Sequence, residues 1–173
     1  VTPANNATNV VTNGKIVLTF DRAMNTTATV GTVTLGAGTI GTRTWSTDKK
    51  VCTITYSGLA HNTSYTIKVS AFKDALGNTM TAVTSGYTFK TAALPKMSTV
   101  SPANAATNVP ISGKIVLTFD KAMNTTAGVG TVNLGAGTIG NSTKTWSTDK
   151  KVCTITYSGL AHNTSYTIKV SAF

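Results

Sequence analysis

Hydrophobic and polar residues alternate along much of this chain with a period of two. Ile16, Leu18 and Phe20 are interleaved with Val17 and Thr19, which predicts a strand over 15–20 buried on one face. Thr32 to Leu35 gives a short strand, and Gly36, Gly38 and Gly41 punctuate the next stretch as a bulge or change of sheet would. Trp45 and the Cys52, Ile54, Tyr56 series flank the polar stretch Thr47-Asp48-Lys49-Lys50, the pattern of a hairpin with both lysines at its tip. The clearest strand is 64–72, with Tyr65, Ile67, Val69 and Ala71 on one side and Thr66, Lys68 and Ser70 on the other. Tyr87 and Phe89 mark a last strand over 86–91. Between these runs lie turn residues: Pro3, Asn5, Asn6 and Asn9 in the first ten positions, a connection over 21–28 with Met24 as an end plug, and the turn Asp74-Ala75-Leu76-Gly77-Asn78.

The same pattern then returns. Residues 1–41 align with 100–140, two extra residues come within 141–145, and residues 44–72 recur without a change as 145–173. The expected organisation is a complete module over 1–93, a linker over 94–99, and a second module over 100–173 that stops after its penultimate strand. A second module without the counterparts of Tyr87 and Phe89 should need a strand from elsewhere, either a continuation of the chain or an edge donated by another chain, as in an in-register fibre.

About seven short strands per module, with turn signals between them and no helical period, predict all-β architecture: tandem immunoglobulin-like β-sandwiches, the second copy lacking its last strand. Leu59 stands six residues ahead of Tyr65, the arrangement of a tyrosine corner in Greek-key sandwiches. The ordered motifs VTPANNATNV and VSPANAATNV, GKIVLTFD, LAHNTSYTIKV, KDALGN and YTFKT are together similar to the SbsA-type bacterial Ig-like domain. That resemblance implies tandem modules of surface-layer proteins, adhesins or multidomain secreted enzymes, with a spacer or adhesive role and no family active site. His61 stands where that corner loop often has proline.

Composition narrows the function. Charged residues make up 12% of the chain, about half the usual share, so Thr, Ser, Asn and Gly must cover the surface. This suits an extracellular or cell-surface protein. No apolar 20-mer is present, so no transmembrane helix is expected, and any targeting signal would lie outside this sequence. Fifteen basic residues against five acidic ones give a net charge of +10, which favours anionic envelope polymers or glycans as neighbours. The charge is dispersed, with Lys49-Lys50 and Lys150-Lys151 the only adjacent basic pairs, and without interleaved stacking aromatics specific nucleic-acid binding is not expected.

Candidate chemistry is sparse. Cys52 and Cys153 occupy equivalent strand positions, one per module, and read as buried thiols. His61 and His162 lie in loops without a nucleophile elbow, and the five Asp residues sit in separate turns, so neither nucleophilic nor paired-carboxylate catalysis is expected. Asp74 with Asn78 is the one calcium candidate, and a turn explains the same spacing. No cofactor and no metal site is expected. Six N-x-[ST] sequons begin at Asn6, Asn25, Asn62, Asn124, Asn141 and Asn163. The remaining candidates for ligand contact are Trp45 and Trp146, as stacking platforms for a glycan, with Lys49, Lys50, Lys150 and Lys151 beside them.

These observations define the leading expectation, a non-catalytic structural or adhesive repeat of a prokaryotic surface protein, whose partners would be other Ig-like modules. The alternative is a carbohydrate-binding or spacer module of a secreted polysaccharide-acting enzyme.

Overall fold

The alternating runs become strands because each turns its apolar residues toward one facing layer. The computed structural model describes residues 1–173 and separates the chain into two units, Val1–Leu94 and Pro95–Phe173. In the first unit the strands are β1 (Ala7–Val10), β2 (Gly14–Thr19), β3 (Thr32–Thr34), β4 (Thr39–Trp45), β5 (Val51–Ser57), β6 (Ser64–Ser70) and β7 (Val83–Thr91). They make two sheets, in the orders β2-β5-β4 and β1-β7-β6-β3. Ile16, Leu18, Cys52, Ile54 and Tyr56 from one sheet and Tyr65, Ile67, Val69 and Phe89 from the other are buried in a single core. The all-β expectation and the two-layer sandwich hold.

The first ten residues depart from the expected run of turns. They carry turn conformations at Asn6 and Asn9, both with positive φ, yet Ala7–Val10 is also a strand, paired parallel to β7 through Ala7 with Phe89 and Val10 with Thr91. Two partners more than eighty residues apart leave no local signature. The last strand also starts earlier than expected, at Val83, with an irregularity where Ile67 and Val69 pair with Tyr87 and Val83.

The second unit contains β8 (Met97–Ser101), β9 (Gly113–Phe119), β10 (Thr131–Asn133), β11 (Thr138–Ile139), β12 (Thr145–Trp146), β13 (Val152–Ser158) and β14 (Lys169–Ser171). One short 3-10 turn, Asn141–Thr143, holds part of the two-residue insertion. The last three residues of the expected linker 94–99 thus open strand β8, which pairs with β9 from Met97 to Ser101. One layer is preserved, as β11 and β12 pair with β13, β13 with β9, and β9 with β8. The other is reduced to β10 and β14.

The two layers differ in a residue-by-residue way. The counterparts of β6 run from Ser165 to Ser171, but only Lys169–Ser171 is strand. The counterparts of β1, Ala106 to Val109, form no strand at all. Leu59 and Tyr65 are buried, while the identical Leu160 and Tyr166 are partly exposed. The losses at β6, at β1 and at Tyr65 lie where β7 pairs or packs in the first unit.

Candidate functional site

The sequence candidates cluster at one end of each sandwich. Trp45 closes β4 and stacks on Phe20, with ring centroids 5.8 Å apart, and its edge meets Phe72 at 6.1 Å. Phe72 is fully buried because Ala71, at φ 58°, turns the chain inward just after β6. Its ring lies over Gly31, where an added Cβ would collide with it. Arg43 completes the plug: its guanidinium lies 5.0 Å from the Phe72 centroid and donates to the carbonyls of Val30 at 2.6 Å and Gly31 at 3.0 Å. A cation over an aromatic face contributes about 0.5 to 2 kcal/mol, depending on its desolvation.

The second unit rebuilds this arrangement with one change of residue. Phe119, Trp146 and Phe173 repeat the aromatic trio at 6.0, 5.4 and 6.1 Å. Lys144 replaces Arg43, sits 5.6 Å over Phe173, and donates to the Gly130 carbonyl. The insertion supplies a further contact. Asn141 accepts from the Val132 N–H at 2.9 Å and donates to the Val132 carbonyl at 2.8 Å, so one side chain behaves as a strand partner for β10.

Both tryptophans are half-buried members of these plugs. The Trp45 indole N–H is buried and meets no acceptor, so the polar edge that would reach a sugar hydroxyl is turned inward. The lysines lie in the adjoining turns. Lys49 and Lys50 are exposed, as is Lys150, while Lys151 is half-buried just before strand β13. Asp48 shapes the first of these turns by accepting from the Ser46 hydroxyl and the Lys50 N–H, and Asp149 does the same with Ser147 and Lys151. Those donors hold both carboxyls below the ordinary aspartate range.

The other titratable groups are engaged locally. Asp74 is buried and accepts from the Leu76 and Asn78 N–H groups and from the Asn78 side chain, at 2.8 to 3.0 Å. Its carboxyl is held low first by Asn78 and then by Leu76, with Arg22 adding a weaker pull. Both oxygens thus meet amide donors, the bonding of a turn anchor and not of a calcium ligand. Arg22 lies between Asp21 at 3.2 Å and Asp74 at 3.8 Å, an ion network on an open surface. His61 Nδ1 sits 3.0 Å from the Ala92 carbonyl, which can only accept, so this nitrogen carries the ring proton. Cys52 and Cys153 are fully buried, and burial pushes both thiols up. No three His, Cys, Asp or Glu side chains converge.

One further element links the site to the fold. Ala60 donates its N–H to the Tyr65 phenol at 2.9 Å, and Ala161 does the same to Tyr166, so the corner expected from the Leu-to-Tyr spacing is formed in both units. Two facing, mainly antiparallel sheets, an aromatic end plug and a phenol-closed corner define an immunoglobulin-like β-sandwich. The chain belongs to the bacterial Ig-like domain family, whose model matches residues 1–91 and again residues 92–172.

Chitinase A1 of Niallia circulans is 31% identical over 173 residues, an alignment that covers 98% of this chain and 23% of that protein. The chain therefore spans less than a quarter of the length of this curated relative. No solved structure matches the chain significantly. No helix is long and apolar enough to cross a membrane.

Proposed function

We propose that these tandem modules are a non-catalytic spacer in a secreted or cell-surface bacterial protein, setting the distance between whatever lies on either side of them. The observation that carries this reading is what the unchanged 29 residues, 44–72 and 145–173, contribute: strand-end aromatics, a hairpin, core strand residues and a corner, and no convergent polar site. Copying such a segment multiplies scaffold and adds length, whereas a reaction centre gains nothing from serial copies. The SbsA-type resemblance of the ordered motifs supports a stalk, adhesin shaft or surface-layer setting.

The similarity to a chitinase favours a second setting, an accessory module within a polysaccharide-acting enzyme. The inward-turned Trp45 favours spacing over glycan capture in that setting as well. Sedimentation with insoluble chitin, cellulose and peptidoglycan tests this. The spacer reading expects the chain to stay in the supernatant at moderate salt. Retention on one polysaccharide that Trp45→Ala abolishes while the first unit stays folded would replace it with glycan binding. Retention that instead collapses between about 50 and 200 mM salt would assign the role to dispersed positive charge meeting an anionic polymer.

A further inference from the structure

The chain holds six Asn-x-Ser/Thr tripeptides, and the structure treats them differently. Attaching a sugar to asparagine calls for a surface position, a side-chain nitrogen free of hydrogen bonds, and a hydroxyl two residues on that is not held elsewhere. Asn6 leads straight into the ladder, since Ala7 and Thr8 belong to β1 and Ala7 pairs with Phe89. Asn62 and Asn163 lie in the tyrosine corners at φ 53° and 50°, where the hydroxyls of Thr63 and Thr164 donate to the His61 and His162 carbonyls and the tripeptide is wound into a tight turn. Asn141 has no free nitrogen, because both polar atoms of its carboxamide are bonded to Val132. The remaining two occupy equivalent places in the loop Ala-Met-Asn-Thr-Thr-Ala, residues 23–28 and 122–127. Met24 and Met123, 3% and 8% exposed, anchor each loop in its core. Asn25 Oδ1 accepts from the Thr27 N–H at 3.0 Å, and Asn124 Oδ1 accepts from the Thr126 N–H at 3.0 Å and the Thr126 hydroxyl at 2.7 Å. Only the oxygen of each carboxamide is engaged, which leaves Nδ2 unbonded. Asn124, Thr126 and Thr27 are exposed and Asn25 is half-buried.

We propose that Asn25 and Asn124 are glycan attachment sites, one per module, each taking a sugar activated as a glycosyl diphosphate. In the transfer, the bond from Nδ2 to the anomeric carbon forms as the bond from that carbon to the diphosphate oxygen breaks. Nδ2 gives up one of its two protons, and the diphosphate leaves with the bonding electrons. A transferase of the cell performs the step, and the chain contributes presentation. Each turn places the backbone of the second threonine beside the carboxamide oxygen, so the asparagine and the residue that defines the tripeptide are held together at the surface with the nitrogen unengaged. Sugar hydroxyls at these loops add hydration to a surface with few charges, 12% of the residues. Because the loop is repeated, each further module brings its own attachment point. The assignment stands on the six tripeptides compared with one another and does not depend on the spacer reading.

The test begins with the protein as its own bacterium makes it, digested with trypsin and mapped by fragmentation mass spectrometry. Sugar is expected at Asn25 and Asn124, with Asn6 and Asn141 bare; the identical peptides that hold Asn62 and Asn163 need not be told apart, since both are expected bare. The folded, unmodified chain is then offered UDP-glucose with a soluble N-glycosyltransferase in one arm, and a polyprenyl-diphosphate oligosaccharide with a membrane oligosaccharyltransferase in the other. The arm that reacts identifies the source of the activated sugar. Synthetic peptides of the six tripeptides with their flanks are the controls without the fold. In the folded chain Asn141 should react about tenfold more slowly than Asn124, because its two hydrogen bonds must open first, whereas the two free peptides should react at similar rates. Thr27→Ala and Thr126→Ala should abolish transfer at their own sites, and Thr27→Ser and Thr126→Ser should retain it. A bare asparagine at position 25 or 124 in the native protein would overturn the proposal. So would equal rates at Asn141 and Asn124 in the folded chain, or a folded chain inert in both arms while its free peptides react.

Discussion

Replacing Phe89 with alanine should convert the first unit toward the weaker packing of the second. Phe89 is 1% exposed, and its ring is held between Tyr56 and Tyr65 on the strand that joins β1 to β6. Truncating a buried Phe to Ala costs about 3 to 5 kcal/mol, transfer and cavity together. At a urea slope of about 1 to 1.5 kcal/mol per molar for a unit of this size, the midpoint should fall by about 2 to 5 M. The chain offers a clean reporter, because its only two tryptophans lie one in each unit. In a Trp146→Phe background the fluorescence of Trp45 tracks the first unit alone, and in a Trp45→Phe background Trp146 tracks the second. Phe89→Ala should move the first transition by that amount and leave the second in place. A shift below about 1 M in the first transition would refute the reasoning, since it would mean that the core does not depend on β7.

Two further outcomes rest on single groups. Asn141→Ala removes both bonds to the Val132 backbone, whose residue is 2% exposed, and should lower the second transition by about 1 to 3 kcal/mol, with faster exchange of the Val132 amide; an unchanged Trp146 midpoint would refute the pairing role. Asp21, Asp48, Asp74 and Asp149 all have carboxyls held low in the folded state, by Arg22, Ser46, Asn78 and Ser147 respectively as the main causes. Their contribution is present above the unfolded aspartate value of about 4 and is lost as pH falls through the lower folded values, so urea midpoints should hold level down to about pH 5 and drop below about pH 4. A midpoint that rose on acidification through that window would contradict the assignment.

Much of the candidate site was legible along the chain. Trp45 and Trp146 beside a lysine-bearing turn, a buried cysteine on each following strand, and Tyr65 and Tyr166 six residues after a leucine are local patterns, and each appears where the spacing puts it. The contacts of Arg43 and Lys144 were not legible, because a cation twelve to fourteen residues from its carbonyl partners leaves no periodic trace. Neither was the Asn141 bond to Val132, which arises inside an insertion with no counterpart in the first module.

By itself the amino-acid sequence determined which residues face inward. Alternation over β2, β5 and β6 sets the core face through the two-residue period of an extended chain, and duplication sets the number of modules. Only the tertiary structure decided whether such a run becomes a strand. Residues 64–67 and 165–168 are the same four amino acids, yet the first four are strand and the second four are not. A strand is completed by hydrogen bonds to a neighbour, and the neighbour of the first four, β7, is brought there by contacts distant in sequence. Propensity within the four residues cannot supply a partner that lies outside them.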